Sequence, residues 1–209
     1  MWTKKTVIGV GLSMVITGGI FYSLCQPKHD LPPILLQVKP WSLIDHNAKA
    51  FGSKQLEGKV WIANFFFTRC PTICPELINK MAQLQKNLAH QAQAISFVSF
   101  SVDPEHDTPQ VLQQYRSQKQ LDALPNWTFV TGGKKQLYEL VVQQMKLHVG
   151  EKQPLQDGSE RFDIGHVAHF VLFDQQGNMR GLFNTTPQGL QDLQRNAHML
   201  IRNAIPKHP

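Results

Sequence analysis

The stretch Phe65–Leu77 reads F-F-F-T-R-C-P-T-I-C-P-E-L. It holds two of the chain's three cysteines, Cys70 and Cys74, each followed by proline. A residue that precedes proline is pushed out of the α region, so both cysteines are expected to be extended. Proline is accepted in the first turn of a helix and rejected from its interior. A helix is therefore expected to open at Pro75, with Cys74 at its cap. Upstream, K-V-W-I-A-N-F-F-F (Lys59–Phe67) is a near-continuous apolar run, as expected of a strand buried on both faces. The cysteine pair thus sits where a central strand gives way to a helix, the place where ligands and reactive groups gather in α/β sheets. The positive end of that helix and the cation of Arg69 are both expected to lower a thiol pKa.

Working outward, strands and helices alternate. Leu77, Ile78, Met81, Leu84 and Leu88 share one face of a helix running from Pro75 to His90. A-I-S-F-V-S-F-S-V (Ala94–Val102) predicts a second strand. Thr108-Pro109 supplies a helix cap followed by proline at the first position. Trp127–Thr131 reads as a third strand, and Gly132-Gly133 leads into a helix reaching Leu147. His169–Phe173 and Met179–Phe183 read as a hairpin across Q-Q-G-N, and Thr186-Pro187 starts a last helix to about Ala204. This order implies an α/β fold with a mixed central sheet flanked by helices. Phe65–Phe67, Trp61 and Trp127 are expected in its core.

The first 25 residues have a different character. After M-W-T-K-K, the 19 residues Thr6–Leu24 carry no charge, and as a helix they would span about 28 Å, close to a bilayer core. Lys4 and Lys5 in front of them predict a cytoplasmic N-terminus and an exported domain. An uncleaved anchor is the leading reading; a cleaved signal peptide and a lipid on Cys25 are its rivals. Pro27, Pro32, Pro33 and Pro40 predict an extended spacer over residues 26–40. Residues 41–209 would then form the exported domain. The net charge of +6 comes from scattered basic residues, which argues against nucleic acid as a partner.

Three roles compete for Cys70 and Cys74. A disulfide closing so short a loop contributes about 2 kcal/mol by chain entropy, against about 4.7 for a hundred-residue loop, so a purely stabilising bridge is the weakest reading. Spacing alone does not separate a redox pair from a metal site. A metal would need a third ligand, and D-I-G-H-V-A-H-F (Asp163–Phe170) offers His166 and His169 just before a predicted strand. Two thiolates and an imidazole suit copper, as Cu(I) or Cu(II). Zinc is the alternative, with His169 as a fourth ligand, although alternation with Phe170 points His169 toward a strand surface.

Taken together, these motifs resemble the Sco/SenC family, thioredoxin-like copper proteins that help assemble cytochrome c oxidase. F-F-F-T-R-C-P-T-I-C-P is similar to the family's cysteine loop. S-V-D-P-E-H-D-T-P (Ser101–Pro109) is similar to its strand-end segment, with His106 where arginine is common, and W-T-F-V-T-G (Trp127–Gly132) to its next strand and turn. His166 matches the ligand histidine. No proline lies between Leu155 and Met179, so the substrate-binding proline usual in thioredoxin-like oxidoreductases is missing. The chain departs from the family at Thr72 and Gly165, where Asp is often found, and a missing carboxylate there can retune the ligands.

The resemblance implies that Cys70 and Cys74 bind copper when reduced and form a disulfide when oxidised, with His166 completing the site. It also implies a membrane-tethered copper chaperone acting on the copper-bearing subunit of the oxidase, with other copper carriers or thiol reductants as further partners. Asp103 and Asp107 would shape the loop or a partner surface; turn and helix capping is the plainer reading of both. Two other functions stay open. One is an exported thiol–disulfide oxidoreductase that reduces partner cysteines without storing copper. The other is a peroxidase, since F-T-R-C-P-T is similar to the peroxiredoxin loop, with one residue fewer between threonine and cysteine.

Overall fold

The computed structural model describes the backbone of residues 31–154, 162–166 and 168–203, and the side chains of residues 31–150 and 168–203. The uncharged run Thr6–Leu24 and Cys25 lie outside the described residues. Among those described, no helix is long and apolar enough to cross a membrane.

The centre of the molecule is the parallel trio β4 (Val60–Phe66), β5 (Ile95–Ser101) and β6 (Trp127–Thr131). Every residue of β4 and β5 is buried, as expected of central strands with apolar residues on both faces. Both strands agree with the sequence reading to within one residue at each end. Antiparallel strands extend the trio on both sides. Beyond β4 come β9 (His169–Phe173), β10 (Asn178–Asn184) and the two-residue edge β1 (Leu36–Gln37). Beyond β6 come β2 (Ser42–Asp45) and β3 (Ala50–Gly52). The result is one eight-stranded mixed sheet, in the order β1-β10-β9-β4-β5-β6-β2-β3. A short helix, α1 (Ser53–Leu56), follows β3. Residues 31–40, part of the expected spacer, thus include a strand: Leu35 donates to the Met179 carbonyl at 2.8 Å, and Arg180 donates to the Pro32 carbonyl at 2.7 Å.

Side chains alternate cleanly between the two faces of the sheet. Val60, Ile62 and Phe66 of β4 point to one face, with Ile95 and Phe97, Trp127 and Phe129, and Phe170 and Leu172. Three helices cover that face: α2 (Cys74–Asn87), α3 (Pro109–Gln118) and α5 (Pro187–Arg202), through Leu77, Ile78, Met81, Leu112, Leu193 and Leu200. Trp61, Ala63 and Phe65 point to the other face, with Val98, Phe100, Val171 and Phe173. Trp61 and Phe173 are cross-strand partners and stack with ring centroids 3.7 Å apart. The expected core aromatics are all buried.

Three segments differ from the sequence reading. The helix expected from Gly133 to Leu147 is regular only over α4 (Lys134–Tyr138), then widens into a π-type turn over Glu139–Gln144. There Met145 N–H bonds the Leu140 carbonyl five residues back, at 2.9 Å. This irregular turn lets Leu140, Val141, Met145 and Leu147 all reach the second face. The second difference is a two-stranded ribbon apart from the main sheet, β7 (Val149–Pro154) with β8 (Phe162–His166). The helix expected to reach His90 ends at Asn87, and His90 falls in a 3-10 turn, Ala89–Gln91.

The hairpin turn after β9 is organised by Asp174, which is 1% exposed. It accepts from the backbone of Gln176 and Asn178 and from the Arg180 guanidinium at 2.7 Å. Gly177 supplies the left-handed residue, with φ of 81°. Helix α5 then starts as its sequence predicts, the Thr186 hydroxyl accepting from Gly189 N–H at 3.2 Å. Gly189 packs so tightly on Asn184 that a Cβ there would overlap the Asn184 carbonyl. Gly189→Ala is expected to lower stability by about 1–3 kcal/mol, read as a lower urea midpoint. An unchanged midpoint would mean that the end of β10 moves aside without cost.

Candidate metal centre

Beyond Phe66 the chain folds back on itself: Cys70 N–H bonds the Phe67 carbonyl at 3.2 Å. Residues 71–73 bend, and α2 begins at Cys74, one residue earlier than expected. Cys74 is thus the first helical residue instead of an extended one, with Pro75 behind it in the first turn, where its missing N–H costs nothing. The physical reason lies in the other cysteine. The first N–H groups of a helix lack intrahelical partners, and no side-chain cap is present at Ile73. The Cys70 sulfur takes that role, accepting the N–H groups of Cys74 and Thr72.

The two cysteines are not joined in a disulfide and both are buried, Cys70 at 6% exposure and Cys74 at 0%. The Cys74 thiol donates to the Cys70 sulfur and is the main cause that holds the Cys70 pKa down at about 5. Burial opposes this, and the N–H groups of Cys74 and Thr72 and the Thr72 hydroxyl, 3.6 Å from the sulfur, add to it. Cys70 is therefore a thiolate at neutral pH, ready to bind a metal or attack a disulfide. Arg69, expected to contribute, points elsewhere: its guanidinium bonds Asp103 Oδ2 at 2.8 Å. The lowering comes chiefly from Cys74 and Thr72. Thr72, noted in the sequence as a departure, thus contributes a hydroxyl beside the reactive sulfur.

Behind the loop lies a clamp that sequence reasoning did not resolve. Asp107, fully buried, accepts from Thr68 N–H at 3.0 Å, from the Thr68 hydroxyl at 2.5 Å and from the Ser101 hydroxyl at 2.6 Å. Ser101 also accepts from Asp103 N–H at 3.1 Å. The plainer reading, helix capping, belongs to Thr108, whose hydroxyl accepts from Val111 N–H. Asp107 and Asp103 instead tie the cysteine loop to the end of β5, and burial pushes the Asp107 carboxyl above its usual range. The signal was present in S-V-D-P-E-H-D-T-P: with Thr108-Pro109 already capping the helix, the preceding aspartate was left for another partner. Tyr115 of α3 closes the site from the helical face. Burial, then the charges that Cys74, Cys70 and Asp107 carry at the high pH where a phenol titrates, hold its hydroxyl far above the phenol range, so it stays protonated.

The histidines are placed differently. His166 ends β8, its Cα paired with Val149; its side chain lies outside the described residues. Strand β9 runs antiparallel to β4, with Ala63 paired to Val171. It therefore begins at the end of the sheet where β4 delivers the cysteine loop, and His166 precedes it by three residues. His169 alternates with Phe170 as expected. It shares the strand face of Val171 and Phe173, opposite the face on which the cysteines pack, so the sheet does not turn it toward them. Among the described residues, no three His, Cys, Asp or Glu side chains gather at metal-binding distance. A cleft of about 460 Å³, lined by Asp103, Tyr138, Val141 and Val149 among others, separates the end of β5 from the base of the ribbon.

The family model described as SCO1/SenC matches residues 35–200. The chain belongs to the SCO1/SenC family. It is 32% identical over 181 residues to a SCO1 protein homolog of Bacillus subtilis, covering 86% of this chain and 89% of the relative. Among solved structures it resembles Bradyrhizobium japonicum ScoI with copper bound, at 28% identity and a TM-score of 0.63, covering 76% of this chain and 98% of that one. It also resembles BsSco, a member of the Sco family of cytochrome c oxidase assembly proteins in which a disulfide switch has been identified. There the identity is 27% and the TM-score 0.70, covering 84% of this chain and 99% of that one. The thioredoxin-like mixed α/β architecture is shared with these structures.

Two predictions arise from this SCO1/SenC site. In the reduced protein, alkylation followed by mass spectrometry should modify Cys70 first, with a rate midpoint near pH 5. Cys74→Ala should move that midpoint upward by removing the main donor. A wild-type midpoint near 9 would overturn the hydrogen-bonded thiolate. The linkage has a definite sign: a thiol whose pKa falls on folding adds stability that is complete above about pH 9 and lost as pH falls to about 5. Second, Asp107→Ala leaves the Thr68 and Ser101 donors buried without their acceptor. It should cost about 3 kcal/mol or more, read by denaturant unfolding, and should speed alkylation of Cys74. Unaltered stability and reactivity would remove the clamp from the account.

Proposed function

We propose that this SCO1/SenC protein carries copper, bound by Cys70, Cys74 and His166, to the dinuclear copper centre of the cytochrome c oxidase subunit. The observation that carries the reading is the buried sulfur pair, with Cys70 already ionised. Soft thiolates select Cu(I), and an imidazole extends the set toward Cu(II). Burial keeps water from competing for the ion. The copper-bound Bradyrhizobium japonicum ScoI and the oxidase-assembly family of BsSco support this role. In this reading residues 1–25 anchor the protein in the cytoplasmic membrane with the N-terminus inside. Residues 26–40 lead away from the bilayer, and residues 41–209 meet the oxidase on the outer side.

A second reading is favoured by the same ionised sulfur: reduction of a partner disulfide. Cys70 would attack one partner sulfur and release the other as a thiolate. Cys74 would then pass its proton to the released thiolate, attack the Cys70 sulfur, displace the partner sulfur bound to it and close a Cys70–Cys74 disulfide, so that the pair loses two electrons and the partner gains them. The disulfide switch of BsSco supports this chemistry. The two readings share residues and are separated by His166.

Copper should be titrated into the reduced full chain beside Cys70→Ser/Cys74→Ser and His166→Ala variants, with thiolate-to-copper absorption and electron paramagnetic resonance read together. The expected result is one copper per chain, abolished by the double cysteine change and weakened at least about tenfold by His166→Ala. No binding to the reduced wild type would sink the carrier reading. Disulfide reduction that persists in His166→Ala would then leave the oxidoreductase.

A further inference from the structure

Helix α2 starts at Cys74, and its 14 residues span about 21 Å. Just past its far end, the 3-10 turn brings exposed His90 against His198 of α5. The ring centroids are 5.9 Å apart and the planes 30° apart. Two imidazoles that share a tetrahedral ion at ordinary metal–nitrogen distances have centroids about 5 Å apart, so an approach of about 1 Å brings the pair to that spacing.

The surroundings of His198 add a second observation. The Gln91 amide lies 2.9 Å from Nδ1 of His198 through its nitrogen, while its Oε1 is buried with no hydrogen-bond partner among the described residues. A half-turn about the last side-chain bond exchanges the amide nitrogen and oxygen with little change of shape. Turned over, the amide presents Oε1 to an Nδ1–H. That gives Oε1 a partner, moves the amide NH2 into the buried position instead, and leaves Nε2 of His198 as the lone-pair donor. A carbonyl behind the non-ligating ring nitrogen is the arrangement that metal-bound histidines adopt.

We propose that His90 and His198 form a second metal site, with Gln91 orienting His198, which binds a divalent imidazole-seeking ion such as Cu(II) or Zn(II). Water completes the coordination. The two ligands come from the 3-10 turn that follows α2 and from α5, so the ion links the connection after α2 to the last helix. The site is independent of the cysteine pair and stands whether or not that pair carries copper.

The test uses the full chain with Cys70→Ser, Cys74→Ser and His166→Ala, so that the first site contributes nothing. Cu(II) is titrated with electron paramagnetic resonance, and Zn(II) with thermal unfolding. The expected result is one Cu(II) per chain with two-imidazole nitrogen hyperfine structure, and a Tm that rises with Zn(II). His90→Ala, at an exposed position that does not threaten folding, and His198→Gln should each weaken binding at least tenfold and abolish the Tm rise. Gln91→Leu should weaken it about tenfold by releasing His198. Binding unchanged by His90→Ala and His198→Gln, or no Cu(II) bound by the folded chain, would overturn the proposal.

Discussion

The buried carboxylate of Asp107 receives three donors, two from Thr68 on the cysteine loop and one from Ser101 at the end of β5. A buried acceptor shared in this way fixes the loop relative to the sheet, because releasing any one donor strands a polar group away from water. Everything at the cysteine end depends on it. Thr68 is two residues before Cys70. Asp103, on the same connection, holds Arg69 and so the next link of the loop. With the loop fixed, the Cys70 sulfur meets the first N–H groups of α2, and the helix in turn holds Cys74 against it.

The strands supply the platform through strict alternation. Val60, Ile62 and Phe66 face the helices that frame the cysteines, while Trp61, Ala63 and Phe65 face the opposite layer. Ser99 shares the helical face with Asn64 and bonds it at 2.6 Å, and the Trp127 indole donates to the Ser99 hydroxyl at 2.9 Å. The central strands thus carry a buried polar thread on the very face where the thiols lie. The same alternation separates the positions of the two histidines. His169, inside a strand, is bound by parity to the far face, whereas His166 precedes the strand and escapes that constraint.

What could be read in the sequence follows from how strongly local chemistry dictates structure. β4, β5, β6 and the β9–β10 hairpin were legible because burial on both faces, or a turn around Gly177, leaves few alternatives. Helices α3 and α5 were legible from Thr108-Pro109 and Thr186-Pro187. Strands β1, β2 and β3 were missed because they have two to four residues and take their pairing from distant partners such as Met179 and Thr131. The ribbon strand V-G-E-K-Q-P lacks the β-branched run that marks a strand, and the π-type turn arises from packing of Leu140 and Met145, not from local propensity. The cysteine pair was visible from proline placement. Its lowered pKa was expected from the helix N-terminus and from Arg69; the Cys74 N–H at the start of α2 agrees with the first, while the Cys74 side chain and Thr72 act where Arg69 does not, contacts set by loop curvature that spacing alone does not encode.

The two sulfurs differ in access, Cys70 at 6% exposure and Cys74 at none. A small oxidant arriving from solvent meets Cys70 first and converts it to a sulfenic acid. Cys74, already in hydrogen-bond contact, can condense with that acid to a disulfide before a second oxidation makes the damage irreversible. The buried partner thus acts as a built-in safeguard, and in an oxidising compartment the pair comes to rest as a recoverable disulfide instead of a dead sulfinate.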